Sequence, residues 1–124
     1  MKVDKDVKKR LIANLKYWLQ DLNNSVKTIL KHMKKAETVE EIMQLKKDLL
    51  ILCLEKLPLD DIHCYFCILQ DYKNNSSCKN CLYAKIHGYC DDVKSDYKKV
   101  KMAVGKAIDT IEEKYYFGET YDEK

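Results

Sequence analysis

The chain has few residues that turn the backbone, with three glycines and one proline among 124 residues. A fold of many short strands needs frequent turns, so this shortage predicts an all-α fold. The chain also lacks an apolar run near the roughly 18 residues of a membrane span, and its first residues lack the apolar segment of a secretory signal. We therefore expect a cytoplasmic protein with no membrane partner, in a compartment that keeps cysteines reduced.

Catalytic motifs and arginine are scarce as well. The sequence shows no Ser/His/Asp set, paired carboxylates, HExxH pattern or glycine-rich phosphate loop, and we predict that the protein is not an enzyme. Arg10 is its one arginine. Because arginine is the usual reader of base edges, any binding to nucleic acid should depend little on base sequence.

Apolar residues recur at steps of three and four along three segments, which predicts three long helices. The segments are residues 4–35, 38–56 and 95–116. The connection between the first two is short, which favours antiparallel neighbours. The length of 124 residues predicts a single domain over residues 1–124, and the hydrophobic content of 46% is that of a folded protein. The predicted fold is an antiparallel bundle of three long helices with a Cys-rich helix-loop-helix insertion at residues 61–91.

Some residues should define the ends and cores of these helices. Thr38 and Glu41 have the spacing of a capping box at the start of the second helix. The apolar stretch at residues 49–54 predicts that this helix is central and that Cys53 is a buried thiol. The stripe of the first helix consists of Val3, Val7, Leu11, Leu15, Leu19, Leu22, Val26, Ile29 and Met33.

Five of the six cysteines lie within residues 63–90. They are Cys64, Cys67, Cys78, Cys81 and Cys90. Two Cys-x2-Cys pairs separated by ten residues can supply the four corners of a tetrahedral site, so we predict a structural Zn²⁺ ion. An iron–sulfur cluster is the alternative because a fifth cysteine is present. A disulfide framework is a further alternative, since six is an even number.

The spacing leaves the ligand set open. The tetrad favoured by spacing is Cys64, Cys67, Cys78 and Cys81. A second tetrad replaces Cys64 by Cys90 and leaves Cys64 in the core, and His87 is a candidate to replace one thiol. We expect Cys78 and Cys81 in any set because they lie in a polar segment with no core to bury them. We expect His63 to lie outside the ligand set, because it adjoins Cys64 too closely to chelate with it.

The charge is unevenly distributed. Residues 1–35 carry ten Lys or Arg against three Asp, a net charge of +7, whereas residues 36–124 have a net charge of −4. The first hypothesis is a zinc-stabilised protein-interaction module, an adaptor or inhibitor. Its small size and its richness in Lys, Tyr and Asn would suit a protein encoded by a virus or a mobile element. The alternative is low-specificity nucleic-acid binding through the basic first helix. A second alternative is an iron–sulfur or thiol redox protein. The apolar stripes are also compatible with a homodimer.

Overall fold

The structure is a computed structural model that describes residues 2–72, 81–87, 90, 92 and 94–114, with the backbone alone at residues 86, 87 and 114. Every regular element among these residues is helical, which confirms the predicted all-α class. The predicted polar loop at 73–77, the cap at Gly88 and the tail from 115 onward lie outside the described residues. The elements are α1 (Lys5–Lys35), α2 (Val39–Glu55), a 3₁₀ turn (Asp61–His63), α3 (Tyr65–Tyr72), α4 (Leu82–His87) and α5 (Asp96–Lys114).

Side chains cap the starts of α1 and α2. The Asp4 carboxylate accepts hydrogen bonds from the backbone N–H groups of Asp6 (2.9 Å) and Val7 (3.2 Å), and so caps α1. The Thr38 hydroxyl accepts from the N–H of Glu41 at 3.2 Å, as the capping box predicts. The Glu41 carboxylate accepts from the N–H of Glu37 instead of Thr38, so the box closes one residue earlier than in its usual form.

The described contacts divide the chain into two compact units. Unit 1 comprises Met1–Gln20 and Pro58–Ala103, and unit 2 comprises Asp21–Leu57 and Val104–Lys124. Helices α1 and α5 contribute residues to both. The predicted three-helix bundle and the predicted single domain both remain predictions. None of the described helices is long and apolar enough to cross a lipid bilayer.

Unit 1 has a small apolar core between the first turns of α1 and α3. Val7 is 0% exposed and packs with Ile68 and Leu69 of α3, and the partly buried Leu11 and Tyr65 cover this group. The position of Val7 on the stripe of α1 explains its burial, because residues three and four apart share a helix face. The core therefore fixes α3 against the N-terminal turns of α1.

Polar contacts reinforce the same pairing of α1 with the segment around α3. The Tyr65 hydroxyl accepts a hydrogen bond from the backbone N–H of Asp4 at 2.8 Å. The Asn14 side-chain amide donates to the carbonyl of Ile62 in the 3₁₀ turn, also at 2.8 Å. Together with the core, these bonds hold the start of α3 at a defined place on α1.

Unit 2 contains the second half of α1 and all of α2, joined by residues 36–38. The Lys56 ammonium group at the end of α2 pairs with the Asp21 carboxylate at 2.8 Å. This pairing raises the pKa of Lys56, through the hydrogen bond and charge of Asp21. Lys47 of α2 donates to the carbonyl of Glu112 in α5 at 3.0 Å.

Two expectations about burial are wrong. No side chain of α2 is buried, and Cys53 is an exposed free thiol. The described part of unit 2 has too few layers to surround a helix, because a small unit buries only a limited share of its surface. Leu19 is 58% exposed, although it belongs to the predicted stripe. The half-buried Trp18, seven residues after Leu11, continues the buried side of α1 in its place.

Candidate metal centre

The first pair of thiols is placed by the start of α3. The carbonyl of Cys64 accepts the first hydrogen bond of α3, from the N–H of Ile68 at 3.1 Å. The N–H of Cys64 donates to the carbonyl of Asp61 at 3.1 Å, which joins the 3₁₀ turn to α3. Cys67 lies three residues later, on the same helix face. The Cys64 thiol is among the causes that raise the pKa of the Cys67 thiol.

The other two described thiols of this region belong to the starts of α4 and α5. Cys81 is 6% exposed, and its carbonyl accepts the first hydrogen bond of α4, from Lys85 at 3.2 Å. The Cys90 carbonyl accepts from the hydroxyl of Ser95 at 3.5 Å. The same hydroxyl caps α5 by accepting from the N–H of Lys98 at 3.1 Å. Ser95, 1% exposed, thus ties the backbone of Cys90 to the start of α5.

These four thiols, Cys64, Cys67, Cys81 and Cys90, form what we term the thiol cluster. Burial, and then the charges of the other three thiols together with the hydrogen bond from Cys64, raise the pKa of the Cys67 thiol to about 12. Cys67, Cys81 and Cys90 also line one cavity. The crowding disfavours thiolates, whereas a divalent cation among the sulfur atoms would favour them.

As the side chains stand, no three Cys, His, Asp or Glu residues within the described ranges are arranged to hold a metal ion. Binding an ion would therefore require the thiols to rotate toward a common point. Cys53, Cys64, Cys67 and Cys81 are free thiols. Rotation about one side-chain bond is sufficient to redirect a cysteine sulfur.

Aromatic side chains adjoin the thiol cluster. Burial is the main cause that raises the pKa of Tyr97, and the neighbouring thiol of Cys90 is the next. The pKa of Tyr83 is also raised, mainly by burial and then by the charges of Asp96 and Cys90.

The cavity beside the cluster also has polar residues in its wall. It measures about 590 Å³, and its lining includes Arg10 and Asn14 from α1 and Gln70 and Asp71 from α3. The Arg10 guanidinium lies 5.9 Å from the centre of the Tyr72 ring. Because Arg10 and Asn14 are four residues apart, the sequence could have shown that they share one helix face. Their proximity to the thiols depends on tertiary packing.

The structure describes the other cysteines and histidines considered as ligands to different extents. Cys78 lies outside the described residues, and His87 belongs to α4 but its side chain is not described. His63 is half-buried, and its Nδ1 atom is buried without a hydrogen-bond partner in the part of the chain that the structure describes. Cys53 belongs to unit 2.

The basic residues of α1 form a solvated surface. Its eight lysines are exposed, in keeping with the usual place of charged side chains on a long helix. They are Lys5, Lys8, Lys9, Lys16, Lys27, Lys31, Lys34 and Lys35.

No protein-family model, curated protein or solved structure matches this chain. Its function is therefore argued from its own residues.

Proposed function

We propose that the protein is a small non-enzymatic interaction module, an adaptor or inhibitor, whose Cys-rich segment at residues 61–91 is stabilised by Zn²⁺. The observation that carries this proposal is that Cys67, Cys81 and Cys90, from three separate chain segments, line one cavity. Thiolates are the preferred ligands of structural zinc, and four of them complete its tetrahedral coordination.

The size of the core gives such an ion a role in folding. The buried apolar residues of unit 1 are Val7, Ile68, Leu69 and Cys81 among those described. A core this small stabilises a fold weakly, and small domains commonly add a metal ion. Because the unfolded chain lacks a formed site, the free energy of zinc binding would contribute to the free energy of folding. With all four positions filled by thiolates, the ion would have no open position for a reactive water.

One face of α1 within unit 1 supports the interaction role. Ile12 and Leu19 are two helical turns apart and are 43% and 58% exposed. The exposed Lys8 and Lys16 lie close to the same helix face. We term these four residues the α1 patch. An apolar stripe with a basic margin suits a protein partner that has an apolar groove and an acidic rim.

Nucleic-acid binding is the second candidate, and the eight exposed lysines of α1 favour it. Such binding would be driven by phosphate contacts and would weaken steeply with salt. The measurement is fluorescence anisotropy with labelled single- and double-stranded oligonucleotides at low and physiological salt. The interaction-module proposal expects no binding at low salt. A steep salt-dependent affinity would favour the second candidate.

The metal is tested by elemental analysis and a visible absorption spectrum of the full chain, purified without oxygen and without added metal. The proposal expects one zinc per chain and no colour. A brown protein with several irons would instead support the iron–sulfur alternative. A metal-free protein with its thiols oxidised would support the disulfide framework and contradict the proposal.

The interaction surface is tested by chemical cross-linking in extract followed by mass spectrometry, with two matched variants. Leu19→Asp places a charge in the α1 patch. Tyr17→Asp is the control, because Tyr17 is 79% exposed on another side of the same helix. We expect Leu19→Asp to lose at least about ten-fold of the cross-linked partner, since a buried charge without a partner opposes association, and Tyr17→Asp to retain it. Equal retention by both variants would contradict the assigned surface. Analytical ultracentrifugation of the same proteins shows whether the partner is a second copy of the chain.

A further inference from the structure

Unit 1 contains a cavity that carries charges of both signs in its wall. It measures about 590 Å³, within the range of about 300–1,000 Å³ that is typical of small-molecule sites. Every described residue that lines it belongs to unit 1. Arg10 of α1, Asp61 of the 3₁₀ turn and Asp71 of α3 supply the charges, and all three residues are exposed. The charged groups therefore lie where the cavity opens to solvent.

These charged groups are not paired with one another. Within the part of the chain that the structure describes, Arg10, Asp61 and Asp71 form no ion pair. The Arg10 guanidinium lies 5.9 Å from the centre of the Tyr72 ring, and the Tyr72 hydroxyl donates to the Asp6 carboxylate at 3.2 Å. Contact with an aromatic ring leaves the in-plane N–H groups of a guanidinium able to donate. The cavity thus offers both a cationic donor and carboxylates to a bound molecule.

The deeper part of the cavity wall is apolar. Ile68 of α3 and Cys81 at the start of α4 are buried, and Ala84 is half-buried. Ile68 and Asp71 are three residues apart, so they share one face of α3. An aliphatic group packed on Ile68 would therefore lie about one helical turn from Asp71.

The mixture of charges selects the class of ligand. A simple anion would be attracted by Arg10 and repelled by the two aspartates, whereas a simple cation would meet the opposite forces. A molecule with one charge of each sign can satisfy both. We propose that the cavity binds a small zwitterion, an α-amino acid with an aliphatic side chain. Its carboxylate would pair with Arg10, its ammonium group with Asp71, and its side chain would pack on Ile68.

Isothermal titration calorimetry of the full chain tests this site with L-leucine, L-isoleucine, L-valine and L-methionine. We expect at least one of them to bind with a Kd below about 1 mM. The tightest is then compared with its N-acetyl derivative, which lacks the ammonium group, and its amide, which lacks the carboxylate. Each derivative should bind at least about ten-fold more weakly, because one charge-assisted hydrogen bond is lost. Equal binding of the three forms, or no binding of any of the four amino acids, would overturn the proposal.

Two variants with matched controls assign the charged groups. Arg10→Gln and Asp71→Asn should each weaken binding at least about ten-fold. Lys9→Gln and Asp109→Asn make the same changes of charge at exposed residues outside the cavity wall and should retain the wild-type affinity. Equal affinities of a variant and its control would contradict the assigned contact. If a variant fails to fold, the comparison of the amino acid with its two derivatives on the wild-type chain still decides. None of the assigned groups is a thiol, so the outcome does not depend on the proposed zinc ion.

Discussion

Replacing Val7 by alanine tests how the first helix is held against the segment that carries the thiols. Val7 is 0% exposed and contacts the core residues of α3, whereas Val3, just before α1, is 51% exposed. The same substitution at the two positions removes the same two methyl groups from a core and from a surface. Val3→Ala is therefore a matched control for Val7→Ala.

The expected cost has two parts. Two buried methyl groups contribute about 1.6 kcal/mol of transfer free energy. A cavity of about 50 Å³ that does not relax adds about 1.2 kcal/mol. We therefore expect Val7→Ala to lower the free energy of unfolding by about 2–3 kcal/mol, and Val3→Ala by less than about 0.5 kcal/mol.

Trp18 is the one tryptophan of the chain and belongs to unit 1, so its fluorescence reports the unit that contains the substitution. Urea unfolding of both variants at the same zinc concentration gives the two free energies. Thermal unfolding should show a fall in Tm of roughly 8–12 °C for Val7→Ala, at about 4 °C per kcal/mol. Equal effects of the two substitutions would refute the packing of α1 on α3.

Three further substitutions test single contacts, each by thermal or urea unfolding. Ser95→Ala removes a buried cap of α5 and should cost about 1–2 kcal/mol; a neutral effect would contradict the capping role. Tyr65→Phe leaves a backbone N–H without its acceptor and should cost about 1 kcal/mol, whereas Tyr72→Phe removes an exposed bond and should cost less than about 0.5 kcal/mol. Equal costs would contradict this contrast. A double-mutant cycle on Lys56 and Asp21, which are partly exposed, should give a coupling below about 1 kcal/mol, and a larger coupling would show that the pair is better shielded than the structure indicates.

The parts of the fold that sequence predicted correctly are those that depend on near neighbours. The cap at Thr38 involves residues three positions apart and occurs as the capping box predicts. The facing pair of Cys64 and Cys67 has the same local origin, because residues three apart share a helix face.

The parts that sequence did not predict depend on distant contacts. Val3 and Val7 occupy the same apolar stripe, and only the position of α3 decides that one is buried and the other exposed. The apolar pattern of α2 shows which residues avoid water, but the number of surrounding layers decides whether they are covered. Spacing placed Cys67 and Cys90 together in only one of two tetrads, and the packing of separate segments decides that both line one cavity.

We propose that one zinc ion is held by thiols of the Cys-rich segment. Native mass spectrometry of the full chain, purified without oxygen and compared before and after chelation, is the test. We expect the mass of the chain plus one zinc, lost on chelation together with a fall in the Tm of the same sample. A chain that carries no metal in either state, or one whose Tm is unchanged when its zinc is removed, would contradict it.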